Sequence, residues 1–192
     1  MFPWDHLAIG YVAVSLLFRI RGRRVGALAC AALALGSQFP DLVDKPLAWA
    51  FTVLPGGTTL AHSVFVAVPL SAAVYVLARH RARASVGAAF GVAYVLHLPA
   101  DLLYGPLATG DPIRVGAVLW PLVSTPGTAA GGGLLSNTIY FITRYYAYLD
   151  SPRAIGFLLL EVGLILAALA LWVDDGTPGL REASTAARRV LA

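Results

Sequence analysis

The sequence predicts an all-α integral membrane protein: a bundle of about five transmembrane helices with re-entrant or interfacial helices beside them. Three observations carry this. Hydrophobic residues make up 58% of the chain and charged residues only 12%. That is about half the charged share of a typical soluble domain, too little to cover a water-facing surface. Apolar stretches recur at helix length along the chain, and the arginines fall in groups between alternate stretches.

The stretches run in order as follows. Residues 6–18 (HLAIGYVAVSLLF) and 25–39 (VGALACAALALGSQF) are short, so they either thin the bilayer or end inside it. Residues 62–78 (HSVFVAVPLSAAVYVLA) come next. The stretches 85–104 and 154–173 reach the ~20 residues that a bilayer core requires. Between those two, IRVGAVLWPLV and LLSNTIYFITRYYAYL read as re-entrant or interfacial helices, separated by the flexible TPGTAAGGG. The Tyr-rich 140–148 reads as an interfacial aromatic belt. Residues 1–173 are thus one transmembrane domain, and 174–192 a short cytoplasmic tail with a surface helix. The lone Cys30 excludes an intrachain disulfide and a Cys-based zinc cluster.

Orientation follows from the arginines. Arg19, Arg21, Arg23 and Arg24 separate the first two stretches, Arg79, Arg81 and Arg83 the third and fourth, and Arg181, Arg188 and Arg189 follow the fifth. If each stretch crosses once, these share one side, and the positive-inside rule makes that side cytoplasmic and the N-terminus extracytoplasmic. The basic balance is therefore a topology signal, not a nucleic-acid footprint. The first stretch is no cleavable signal peptide, because its positive charges follow the apolar run.

On this map the acids and histidines gather at the extracytoplasmic end. Asp5 and His6 open the first stretch, Asp41 and Asp44 follow the second, His62 opens the third, and His97 and Asp101 close the fourth; His80 lies in the basic loop instead. In HLPAD, His97 and Asp101 stand at i and i+4, one turn apart on one helical face, the spacing by which a helix offers two ligands to one ion. In PDLVD, Pro40 suits the first turn of a new helix, with Asp41 and Asp44 on one side of it at i and i+3. Each residue also has an ordinary reading. His62 alone reads as an interface histidine, Asp41 as a charge at a helix N-terminus, and Lys45 as an ion-pair partner of Asp41 or Asp44. Burying His97 with Asp101 at a membrane is costly unless a partner is present, and several helix ends bring such groups to one level. Glu161, inside the last stretch, also needs a partner, either Arg144 or a metal as an added ligand.

DHLAIGYV, LGSQFPDLVDKP, LAHSVF, HLPADLL and VGAVLWPL, in this order over residues 5–125, resemble the YdjM-type family of membrane-bound proteins assigned as metal-dependent hydrolases, with LexA-regulated inner-membrane proteins among its bacterial members. The resemblance implies hydrolysis at a metal bound by His and Asp, on the matching His6, Asp41, Asp44, His62, His97 and Asp101. The chain departs at Gly57, where many members carry a second histidine ahead of the HS pair.

A His/Asp set without thiolate suits zinc first, with manganese or iron as alternatives. The expected ligands are His97, Asp101, His62, Asp41 and His6. Asp44 is the candidate for general base or for orienting a ligand, and Ser63 for an orienting hydroxyl. Lys45, Arg114 and Arg144 are candidates for steering an anionic headgroup. The expected partners are the lipid bilayer and, as substrate, a phosphoester of a lipid or lipid-linked molecule at the outer face, with no nucleic acid involved. The rivals are a small transporter or ion-binding protein, and a structural metal site without chemistry. Polar residues at one end only argue against a conduit.

Overall fold

Helical periodicity and the scarcity of charge lead to a helical bundle in the computed structural model, which describes residues 1–108, 110–124, 133–151 and 153–191. Among the described residues the α-helices are α1 (Pro3–Ile20), α2 (Ala27–Lys45), α3 (Val64–His80), α4 (Ala84–Ala108), α5 (Gly133–Leu149), α6 (Ala154–Asp174) and α7 (Leu180–Leu191). A π-helical turn, Pro46–Ala50, extends α2.

α4 is the centre: α1, α2 and α3 all pack on it, and α6 packs on α1. Small residues make that approach possible. A Cβ on Gly36 of α2 would lie 2.3 Å from the Phe90 carbonyl oxygen of α4, so only glycine lets these two backbones meet. Gly87 does the same for α4 against α3, where a Cβ would come within 2.8 Å of Tyr75 Cα. One apolar cluster joins Val14, Leu33, Ala89 and Ala93, and a second joins Ala67, Phe90, Tyr94 and Leu98.

Because α1 to α4 alternate in direction, the bundle has two chemically different ends. At one, Arg19 pairs with Asp174 at 2.5 Å and Asp175 at 2.8 Å, and Arg24 with Asp174 at 3.4 Å. Asp175 also accepts from Ser15 Oγ at 2.7 Å and Tyr11 OH at 3.1 Å, tying the end of α6 to α1. At the other end lie the start of α1, the end of α2, the start of α3, the end of α4 and the start of α6, with the acids and histidines.

Several sequence expectations change here. Among the described residues two helices, Ala84–Ala108 and Ala154–Asp174, are long and apolar enough to cross a membrane, against the five expected; Val64–His80 is apolar but shorter, and α1 and α2 carry polar residues at both ends or along one face. Pro40 does not begin a new helix. It lies inside α2, which runs through to Lys45, since packing on α4 holds the helix together across the missing N–H. Residues 115–122, expected in a helix, form turns, whereas LLSNTIYFITRYYAYL is helical as α5. The TPGTAAGGG segment falls almost wholly on 125–132, outside the described residues. Glu161 does not meet Arg144. It accepts from Trp4 Nε1 at 2.7 Å and Tyr145 OH at 3.1 Å, while Arg144 donates to Tyr140 OH at 3.1 Å. α5 packs near α6 with Tyr145 on the Glu161 side, and the neighbouring Arg144 is carried out to solvent.

Candidate metal centre

Asp41 stands on the last turn of α2, His62 in the turn leading into α3, and His97 and Asp101 one turn apart near the end of α4. One donor atom from each lies within 4.8 Å of all the others. His62 Nε2 is 3.2 Å from His97 Nε2, 3.4 Å from Asp101 Oδ2 and 3.5 Å from Asp41 Oδ1, and His97 Nε2 is 3.4 Å from Asp101 Oδ2. The edge of a zinc tetrahedron with metal–ligand distances near 2.05 Å is about 3.3 Å. Four of the six donor separations are thus close to that edge, and the group could hold one ion.

The opposite sides of the two rings explain why they point inward. His97 Nδ1 donates to the Ser37 carbonyl at 2.7 Å, which leaves Nε2 as a lone pair. His62 Nδ1 lies 2.8 Å from Asp44 Oδ2, the carboxylate–histidine arrangement that sets the tautomer of a metal ligand. Two imidazole lone pairs facing each other beside two carboxylates repel unless something positive sits among them. Asp41 Oδ1 is also buried without a hydrogen-bond partner. Burial alone would lower the pKa of His62, but the surrounding Asp101, Asp41 and Asp44 carboxylates outweigh it and raise it to about 10. The donor set could hold a divalent metal.

Asp44 is buried and fully engaged. Its Oδ1 accepts from the backbone N–H of Ala61 at 2.8 Å, and its Oδ2 from those of Thr59 at 2.8 Å and His62 at 3.2 Å, besides the imidazole. It organises the turn that presents His62. Tyr94 OH, donating to the Ala61 carbonyl at 2.8 Å, supports the same turn from α4.

His6 stands beside the four. Its Nε2 is 3.1 Å from Asp101 Oδ1, its ring stacks on His97 at 3.6 Å, and neither ring nitrogen makes a hydrogen bond. The Met1 amino group lies 2.6 Å from the same Asp101 oxygen. Ser63 is away from the cluster: it caps α3 by accepting from Phe65 N–H at 3.2 Å and donates to the Trp120 carbonyl at 2.5 Å. Lys45 pairs with Asp41 Oδ2 at 2.5 Å and lies over Trp49 at 5.8 Å. Arg114 and Arg144 are exposed, and no contact among the described residues joins either to the cluster. At Gly57 a Cβ would meet the Trp49 ring at 2.9 Å, so the indole occupies the room a larger side chain would need.

Sequence reasoning missed the Ser37 carbonyl, Thr59, Ala61 and Tyr94. The small Gly36-Ser37 pair inside an apolar run was the available signal, because it marks a close helix approach. Backbone partners leave no signature in residue type.

The chain matches the family described as YdjM inner membrane protein over residues 1–176, and it belongs to that family. No curated protein and no solved structure matches it.

Proposed function

We propose that this YdjM-family inner membrane protein is a metal-dependent hydrolase acting on a phosphoester of a lipid or lipid-linked substrate at the outer membrane face. The observation that carries the reading is the set of four donor atoms, from Asp41, His62, His97 and Asp101, all within 4.8 Å of one another. Zinc comes first, with manganese or iron next, and such an ion supplies Lewis acidity and a bound water acidified to about pKa 7.

The chain's own groups divide the remaining work. Asp44 and the Ser37 carbonyl hold the two imidazoles in the tautomer and orientation that direct both Nε2 atoms inward. The carboxylates form the open side, since the Asp101 side chain is 23% exposed and those of His62 and His97 at most 2%. A substrate enters there. His6, unbonded and against Asp101, is the group placed to take or return a proton at that edge. Lys45 neutralises one oxygen of Asp41 and presents positive charge beside it. In this reading the helices cross the membrane alternately, with the N-terminus extracytoplasmic and the arginine end and C-terminus cytoplasmic.

One observation favours a second reading. The group offers four protein donors, the number that closes a structural site that clamps helix ends and performs no chemistry. Metal-loaded protein, purified in detergent, separates the two when given a panel of phospholipids and lipid-linked phosphoesters. Hydrolysis that disappears in Asp41→Ala supports the hydrolase. Stoichiometric metal with no turnover of any lipid, or turnover of a soluble ester or peptide alone, overturns it.

A further inference from the structure

α1 and α3 both lean on α4 at the arginine end, and the small residues Gly87 and Gly91 form the floor between them. The result is a cleft of about 720 Å³, walled mainly by apolar side chains of the three helices, with Arg21 and Arg23 at its mouth. That volume is the size of a small-molecule site. A second cavity of about 400 Å³ adjoins it, sharing Phe18, Arg23 and Ser85 and adding Arg83 and the start of α2, whose N-cap is Gly26 with no side chain to satisfy the first amides. Phosphate oxygens suit such a place, where guanidinium groups and free helix amides converge.

The acids at this end are taken. Asp174 and Asp175 pair with Arg19 and Arg24, and Glu182 accepts from Gly179 N–H. Among the described residues no acid pairs with Arg21, Arg23 or Arg83. Ser71, 8% exposed, also lines the cleft.

We propose that this cleft holds one anionic phospholipid, its phosphate among Arg21, Arg23 and Arg83 and an acyl chain lying along α4 between α1 and α3. The site stands at the end of the bundle opposite the His/Asp centre and does not depend on any chemistry there. It differs from the general attraction of arginines to anionic lipid, because it requires the cleft as well as the charge.

Native mass spectrometry of the full chain released from phosphatidylglycerol/phosphatidylethanolamine membranes tests this. The expected result is one phosphatidylglycerol per chain, retained in preference to phosphatidylethanolamine. Arg23→Gln with Arg83→Gln removes two charges at the phosphate and weakens retention by roughly thirtyfold. Ala72→Trp fills the cleft, leaves every charge in place, and abolishes retention. Arg79→Gln with Arg81→Gln, at the same end but outside both cavities, leaves retention intact. The idea fails if Ala72→Trp retains lipid like the wild type, or if the Arg79/Arg81 pair matters as much as Arg23/Arg83. Delipidated wild type gives an answer that needs no variant: phosphatidylglycerol raises its melting temperature saturably and glycerol phosphate does not. Equal stabilisation by glycerol phosphate, or none by either, overturns the lipid assignment.

Discussion

Asp44→Asn tests the architecture of the centre without touching an expected donor. In the wild type the carboxylate takes three backbone N–H groups and one imidazole N–H on two oxygens. An asparagine has one carbonyl oxygen. Placed at the Oδ2 position, it keeps Thr59, His62 N–H and the imidazole, but turns its NH₂ toward the Ala61 amide. That orphaned amide costs about 1–3 kcal/mol, and the three retained bonds each lose part of their charge assistance, so the turn loses roughly 3–5 kcal/mol. Hydrogen exchange of the Thr59, Ala61 and His62 amides, read by mass spectrometry, should accelerate by about 100-fold or more. Metal affinity, measured by competition with a chromogenic chelator, should fall about 10–100-fold, as it does when an outer partner of a metal-bound histidine is removed. Unchanged exchange together with affinity within threefold of wild type would refute the role assigned to Asp44. Loss of metal with exchange unchanged would instead make Asp44 a direct ligand.

Three further expectations follow from other parts of the structure. The pKa of His62 lies at about 10, above its ordinary 6.5, so at neutral pH the metal-free ring carries a proton that must leave when metal binds at Nε2. Metal affinity therefore rises with pH, by roughly tenfold per unit between about pH 6 and 8 for one proton released, and a flat profile would contradict the assignment. In the metal-free protein the sign reverses: stability from protonated His62 is complete below 6.5 and is lost as pH rises through about 10. Gly36→Ala forces α2 away from Phe90 and withdraws the Ser37 carbonyl from His97. It should cost about 1–3 kcal/mol and weaken metal binding although residue 36 offers no donor, while Leu35→Ala on the exposed side leaves metal binding as it was. Asp175→Asn removes the charge that Arg19, Ser15 and Tyr11 share, and should lower the thermal stability of the α1–α6 contact by about 1–3 kcal/mol without changing metal stoichiometry, which elemental analysis reads directly.

The chain by itself determined its membrane surroundings and its all-helical class. So little charge on so many apolar residues leaves a bilayer as the surrounding medium, and helix-length apolar stretches follow because backbone polar groups need internal partners there. It also determined that His97 and Asp101 work together, since a helical rise and a four-residue spacing place them on one face whatever surrounds the helix. Asp41 and Asp44 were equivalent at that level, three apart on one helix. Tertiary structure alone separated them: one faces three other donors, and the other is consumed by amides of residues 59–62. The same limit explains the continuous α2 through Pro40, the Trp4–Tyr145 partnership of Glu161, and the turns at 115–122. In each case the deciding partner is a backbone group or a side chain from a distant segment. Sequence spacing carries geometry within one helix, and contacts between helices exist only once the bundle has packed.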